Sequence, residues 1–184
     1  MLDEEKLIIL DRDGVINYDS ENYIKNPDEW IPIPGSLSAI ARLNEVGYQV
    51  VIATNQSGVD RGYYSLDMLE AIHEKMRREL AKAGGRVAGI YFCPHAPQAN
   101  CPCRKPKPGL LHLIAEDFPQ KLKGTALVGD SLRDIQAARA AGCLPVLVKT
   151  GNGEKTIANG EGLEDVPIFE DLSDFVNHLT RKSL

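Results

Sequence analysis

Along the chain, apolar positions alternate between two kinds of pattern. Short, almost unbroken β-branched or aliphatic runs occur at Leu7 to Leu10, Gln49 to Thr54, Gly89 to Phe92, Thr125 to Val128 and Pro145 to Val148. Unbroken apolarity is what a strand shows when helices cover both faces of its sheet. Segments with helical spacing lie between these runs. Ser36 to Val46 is apolar at 37, 40, 43 and 46 and stops at Gly47, while Ser65 to Ala83 opens on an N-cap serine and ends at Gly84-Gly85. Pro108 starts a further helix reaching about Asp117, Leu132 to Ala141 reads as a fourth closed by Gly142, and Leu172 to Leu179 as a last. This alternation predicts an α/β fold, a mostly parallel sheet with helices on both faces. Two connections are long, Gly14 to Gly35 and Pro94 to Lys107, so function is expected there and at the carboxyl ends of the strands.

Composition narrows the picture. A chain of 184 residues fits a single domain over 1–184 and buries roughly 70% of its unfolded surface. With 43% hydrophobic and 26% charged residues and no low-complexity tract, the composition is that of a folded globular protein. Twenty-one basic against 26 acidic residues give a net charge of -5, the wrong sign for binding nucleic-acid phosphates. No apolar run approaches the roughly 20 residues that cross a bilayer. The opening MLDEEKLIIL has acids where a signal peptide is basic. A cytoplasmic monomer with no nucleic-acid or membrane partner is the expectation.

Acidic residues gather at strand exits. Asp11 and Asp13 flank Arg12 and precede Gly14; carboxylates at i and i+2 leave a strand on the same side and repel, which calls for a cation, and hard oxygen ligands select Mg²⁺. An Asx-turn cap is the alternative. The second strand brings Thr54, Asn55 and Gln56 to the same rim, suited to a phosphate or simply to a turn. Asp130 follows Gly129 at the fourth, and Asp134 either associates with a metal or closes a helix-capping box with Ser131. The loop CRKPKPG concentrates Arg104, Lys105 and Lys107 in an acidic protein. A dianionic phosphate beside three acids needs such a base, although solvated surface charge is the plainer reading.

Four cysteines also require a reason. Cys93, His95, Cys101 and Cys103 form C-x-H-x₅-C-x-C, a four-ligand set suited to a closed, structural Zn²⁺ site. A disulfide would leave one of the three clustered thiols unpaired and suits a secreted chain better. Cys143 stands apart as a small buried hydrophobe, and His73, His112 and His178 are read as structural or surface residues without partners.

The segments DRDGVIN, TNQSG, CRKPKPG and GDSLRD, in this order, resemble the four motifs of the haloacid dehalogenase-like phosphohydrolases. The resemblance covers residues 7 to about 151 and implies a Rossmann-like sheet of order 5-4-1-2-3. The C-x-H…C-x-C insert, with INYDSENYI, TNQSGVDRGYYS and LVKTGNG, narrows it to a zinc-loop branch. That branch removes phosphate from sugar bisphosphates or from histidinol phosphate, and the sugar-bisphosphate members are nearer. A small-molecule sugar bisphosphate on the way to activated precursors of envelope polysaccharide is the implied substrate. By position, the resemblance makes Asp11 the nucleophile that becomes an aspartyl phosphate and Asp13 the general acid and base. It assigns catalytic Mg²⁺ to Asp11, Asp13 and Asp130, phosphate contacts to Thr54, Asn55, Gln56 and Lys105, and a second anionic part of the substrate to Arg104. Asp19 and Tyr23 match positions that touch sugar hydroxyls. Ser131 departs from the pattern, since some members carry a lysine there. Neither the segment 14 to 35 nor the stretch after Thr54 has room for a separate cap domain. A non-catalytic phospho-binding module is the reading from another class. Residues 152 to 184 carry no assigned chemistry.

Overall fold

The computed structural model describes residues 6–118 and 122–181; the acidic start at 1–5 lies outside them. Strands β1 (Lys6–Leu10), β2 (Tyr48–Asn55), β3 (Gly89–Cys93), β4 (Ala126–Gly129), β5 (Leu144–Val148) and β6 (Ile168–Phe169) alternate with helices α1 (Ser36–Glu45), α2 (Leu66–Lys82), α3 (Gly109–Asp117), α4 (Leu132–Ala141), α5 (Gly153–Asn159) and α6 (Leu172–Arg181). The apolar patterns match these bounds to within two residues. They miss β6 and α5, because two residues define no period and α5 buries only Gly153 and Thr156.

All pairings are parallel and the order is β3-β2-β1-β4-β5-β6. This is the expected 5-4-1-2-3 with one further strand outside β5. The central strand β1 aligns Leu10 with Ile52 on one side and with Val128 on the other. Its exit therefore lies where the chain order reverses, the place at which open α/β sheets bind ligands.

Alternate β1 side chains enter opposite cores, which explains the unbroken apolar run. Ile8 and Leu10 join Ile40, Leu43, Ile72, Met76 and Phe175 under α1, α2 and α6. Leu7 and Ile9 join Leu110, Leu111, Ile114, Ala137 and Cys143 under α3 and α4. Each such aliphatic side chain contributes roughly 1.5–3 kcal/mol by leaving water, so a polar residue at Ile9 would break the frame that carries Asp11. No helix among the described residues is long and apolar enough to cross a membrane.

The Gly14 to Gly35 connection holds no inserted domain. It folds over the sheet edge with one short 3₁₀ turn, Pro27–Glu29, capped by the Asn26 side chain. Trp30 is fully buried, and Lys75 of α2 donates to the carbonyls of Pro27 at 2.6 Å and Trp30 at 2.9 Å. The loop is thus pinned to α2.

Candidate active site

Asp11, Asp13, Asn55, Gln56, Lys105 and Asp130 line one cleft of 390 Å³ at the carboxyl edge of the sheet. The approach is tight. A Cβ on Gly14 would stand 2.1 Å from Asp130 Oδ2 and one on Gly151 2.2 Å from the same atom, and both glycines have positive φ. Only residues without side chains let these two loops close on Asp130.

Carboxylate oxygens of Asp11, Asp130 and Asp134 come within 4.8 Å of one another. The cation inside the group is Lys105, 2% exposed. Its Nζ donates to Asp134 Oδ1 at 2.7 Å and to the Ala53 carbonyl at 2.7 Å, and stands 3.1 Å from Asp11 Oδ1. Burial raises the Asp11 pKa well above the carboxylate range, and Asp134 adds to this against the pull of Lys105. Burial and Asp134 likewise push Asp130 up to about 7. Burial opposes the charge on Lys105, but Asp11 and Asp134 outweigh it and raise that pKa. Fully ionised, three acids against one ammonium leave two negative charges unbalanced, and the raised pKa values reflect that deficit. Hard oxygens with that deficit fit a divalent cation such as Mg²⁺.

Asp134 fulfils both of its candidate roles in geometry. Its Oδ2 accepts from Ser131 N at 3.1 Å and Ser131 Oγ at 2.8 Å, closing the capping box, while its Oδ1 faces Lys105.

The Asp13 carboxylate does not join this group. Oδ1 accepts from Arg12 Nε (3.1 Å), Arg12 Nη2 (2.9 Å) and Asn17 Nδ2 (2.9 Å), and Oδ2 from Gln56 Nε2 (2.9 Å). Burial raises its pKa, but Arg12, Asn17 and Gln56 outweigh burial and hold it below the usual range. Its main-chain oxygen is the group left to offer a metal.

The rim residues of β2 are engaged by the protein itself. Asn55 clamps the Lys105 backbone, donating to its carbonyl and accepting from its N–H, both at 3.0 Å. Gln56 donates to Asp13 and to Thr54 Oγ1 and accepts from Tyr64 Oη at 2.7 Å. Thr54 is buried beneath them.

Further residues surround the site or line it. His73, taken from the sequence to lack a partner, is buried with Nε2 3.2 Å from Arg12 Nη1; His178 packs its ring on Phe169, and His112 is exposed. The segment after 151 carries Asn152, whose Nδ2 donates to Asp19 Oδ2 at 2.9 Å and whose backbone N–H donates to Asp130 Oδ2 at 2.8 Å. Applying the rim rule to the end of β5 would have found it. Tyr23, with φ 65°, stacks on Tyr63 at 5.0 Å between ring centroids and lines the cleft. Arg61 and Arg133 join Arg104 in the lining. None of the three has an ion-pair partner among the described residues. Burial, then Arg133, lowers the Arg104 pKa, as expected for guanidiniums that repel one another.

Cys93, His95, Cys101 and Cys103 converge, with sulfur–sulfur separations of 3.1 to 3.5 Å and His95 Nδ1 3.6 and 3.4 Å from Cys93 and Cys103. A tetrahedron with arms of about 2.3 Å has edges of about 3.8 Å, and four donors converging at 3.1–3.6 Å could hold Zn²⁺ after a small outward adjustment. Arg104 Nη1 donates to the His95 carbonyl at 3.3 Å, and Lys107 turns back onto the loop at Asn100 and Cys101. Of the three bases in CRKPKPG, Lys105 and Arg104 face the cleft and Lys107 does not.

A family model described as HAD-hydrolase-like matches residues 102–175. The chain is 55% identical over 174 residues to the D-glycero-β-D-manno-heptose-1,7-bisphosphate 7-phosphatase of Pseudomonas putida, covering 95% of this chain and 99% of that one. Its fold superposes with a TM-score of 0.94 on the D,D-heptose 1,7-bisphosphate phosphatase of Bordetella bronchiseptica, crystallised with magnesium and phosphate, at 54% identity over 96% and 99% of the two chains. The counterpart from Burkholderia thailandensis gives 0.76 at 45% identity, over 95% and 98%. Cleft, fold and sequence lead to one conclusion: the chain belongs to the heptose-1,7-bisphosphate 7-phosphatase family of the haloacid dehalogenase-like hydrolases.

Proposed function

We propose that this protein is a Mg²⁺-dependent phosphatase that removes the 7-phosphate of D-glycero-D-manno-heptose 1,7-bisphosphate, in the β-anomer named for its relatives. The observation that carries the reading is Lys105, buried between Asp11 and Asp134 in a cleft whose lining also holds three arginines without acidic partners among the described residues.

Asp11 is the nucleophile. Its Oδ1 is held by the Arg12 N–H at 2.8 Å and by Lys105, which leaves Oδ2 to attack phosphorus. The P–O bond to C7 breaks, the phosphoryl group passes to Asp11, and Asp13 gives its proton to the departing sugar oxygen. Asp13 then takes a proton from water as that water attacks phosphorus, the bond to Asp11 breaks and inorganic phosphate leaves. Arg12 favours the ionised Asp13 before substrate arrives, and the incoming dianion works in the opposite sense. Bound Mg²⁺, held by the Asp11 and Asp130 carboxylates and the Asp13 main-chain oxygen, would supply positive charge to the transferring group. Zn²⁺ on Cys93, His95, Cys101 and Cys103 would be structural, fixing the stretch that ends in Arg104 and Lys105.

Phosphoryl transfer rests on placement and charge compensation. Lys105 serves the transferring phosphate, with Asn55 holding Lys105 and Gln56 holding Asp13 in place, while Thr54, 1% exposed and outside the cleft lining, supports Gln56 from below. Arg61, Arg104 and Arg133 serve the second phosphate, and Asp19 and Tyr23 the sugar hydroxyls. The protein would act as a single-domain cytoplasmic monomer of 20.2 kDa. Phosphate release measured over heptose bisphosphate, heptose monophosphates and histidinol phosphate, with Mg²⁺ and with EDTA, tests the reading. Turnover of histidinol phosphate faster than of the bisphosphate would overturn it.

A further inference from the structure

We propose that Arg12 and His73 form a buried pair whose task is to position the Asp13 carboxylate for proton transfer. The inference rests on the reading of Asp13 as general acid and base. Arg12 sits inside a motif whose two aspartates draw the attention, yet it is fully buried. Three of its nitrogens are used. Nε and Nη2 converge on Asp13 Oδ1, and Nη1 meets His73 Nε2 at 3.2 Å.

His73 is itself 1% exposed. It lies on the buried stripe of α2 with Leu69, Ile72, Met76 and Leu80, its ring 6.2 Å from that of Phe92. Burial, reinforced by Arg12 and Arg77, holds it down to about 3. The imidazole is neutral, so Nε2 carries the lone pair that accepts from Arg12 and the proton sits on Nδ1. A buried guanidinium is costly unless its donors are satisfied. His73 occupies the corner that Asp13 cannot reach and stops the fork from pivoting.

The consequence falls on one oxygen. With Asn17, three N–H groups converge on Asp13 Oδ1, whereas among the described residues Oδ2 accepts only from Gln56, whose orientation is fixed by the Tyr64 hydroxyl. Oδ1 is saturated and Oδ2 is the oxygen that exchanges the proton. Arg12 and His73 are positioning residues, since neither is among the residues lining the cleft.

The test compares kcat/KM on heptose bisphosphate with that on p-nitrophenyl phosphate, whose phenolate departs without a proton. Asp13→Asn should lose about 10²- to 10⁴-fold on the sugar and much less on the aryl ester. Equal losses would sink the general-acid reading of Asp13 itself. With that reading standing, H73L should lose about 10-fold on the sugar and under about 3-fold on the aryl ester, with the Mg²⁺ requirement unchanged. H73Q, whose amide oxygen can still accept from Nη1, should return to within about 3-fold of wild type. Equal losses on both substrates, or H73Q as impaired as H73L, would make His73 a packing residue and overturn the proposal. Should H73L not fold, H73N against H73Q poses the same contrast. H73N selectively impaired on the sugar supports the pair, and H73N equally impaired on both rejects it.

Discussion

Lys105 Nζ stands 3.1 Å from Asp11 Oδ1, at the end of a side chain that is 2% exposed. The proposed nucleophile and its counter-ion come from segments 94 residues apart in sequence. Removing the ammonium leaves Asp11, Asp130 and Asp134 facing one another in a buried site. K105M should lower kcat by about 10²- to 10³-fold and cost about 3–5 kcal/mol of metal-free stability. Phosphate release and urea unfolding read the two effects, and activity within tenfold of wild type would contradict the assignment.

Asn55 makes two hydrogen bonds to the Lys105 backbone, so N55A should act through the lysine. Two bonds at about 1 kcal/mol each predict a loss of roughly 30-fold in kcat with KM changed less than about threefold. A rise in KM alone would mean that Asn55 binds substrate directly.

Arg61, Arg104 and Arg133 should matter only for a substrate with two phosphates. R61A and R133A are each expected to raise KM for the bisphosphate by about tenfold, corresponding to roughly 1.4 kcal/mol, and to leave KM for a monophosphate unchanged. The rise should shrink as salt is added. An equal rise for both substrates would place these arginines at the transferring phosphate.

Zinc should be present at one ion per chain. C101S or C103S should lose it, because a structural tetrahedral site needs all four donors. Metal analysis of purified protein reads this directly. Loss of zinc should raise KM, since the loop then no longer fixes Arg104, and a stoichiometric ion retained in C103S would refute the four-ligand site.

His73 gives stability an acid-sensitive component. Its folded pKa is about 3, against about 6.5 when unfolded. Between those values the unfolded chain binds the extra proton, so this contribution is fully present above about pH 6.5 and is lost as pH falls towards 3. From pH 6.5 to 5 the loss should reach about 1.6 kcal/mol relative to H73Q, which has no proton to take up. Urea unfolding of both proteins at the two pH values measures it, and parallel changes would show that His73 does not titrate in this way.

Much of the architecture was legible without coordinates. Continuous apolar runs with capped helical segments between them named five of the six strands and five of the six α-helices among the described residues. The rule that parallel strands share a carboxyl edge gathered Asp11, Thr54 and Asp130 before any distance was known. The spacing of Cys93, His95, Cys101 and Cys103 marked a metal loop. The strand β6 escaped because two residues define no period, and α5 because it buries only Gly153 and Thr156 and so shows no apolar stripe.

By itself the sequence determined the layered α/β frame, the rim on which the acids stand and a set of side chains that could ligate metals, since periodicity, caps and ligand spacing are local properties. Only the tertiary structure decided what each rim side chain does. Asn55 turns to Lys105, 50 residues away, and Arg12 to His73, 61 residues away. Asn152 arrives from a segment that had no assigned chemistry and joins Asp19 to Asp130. A hydrogen bond depends on where two remote segments cross and which way a side chain points there, and a pattern of apolar residues records which face is buried but not which atom waits on it.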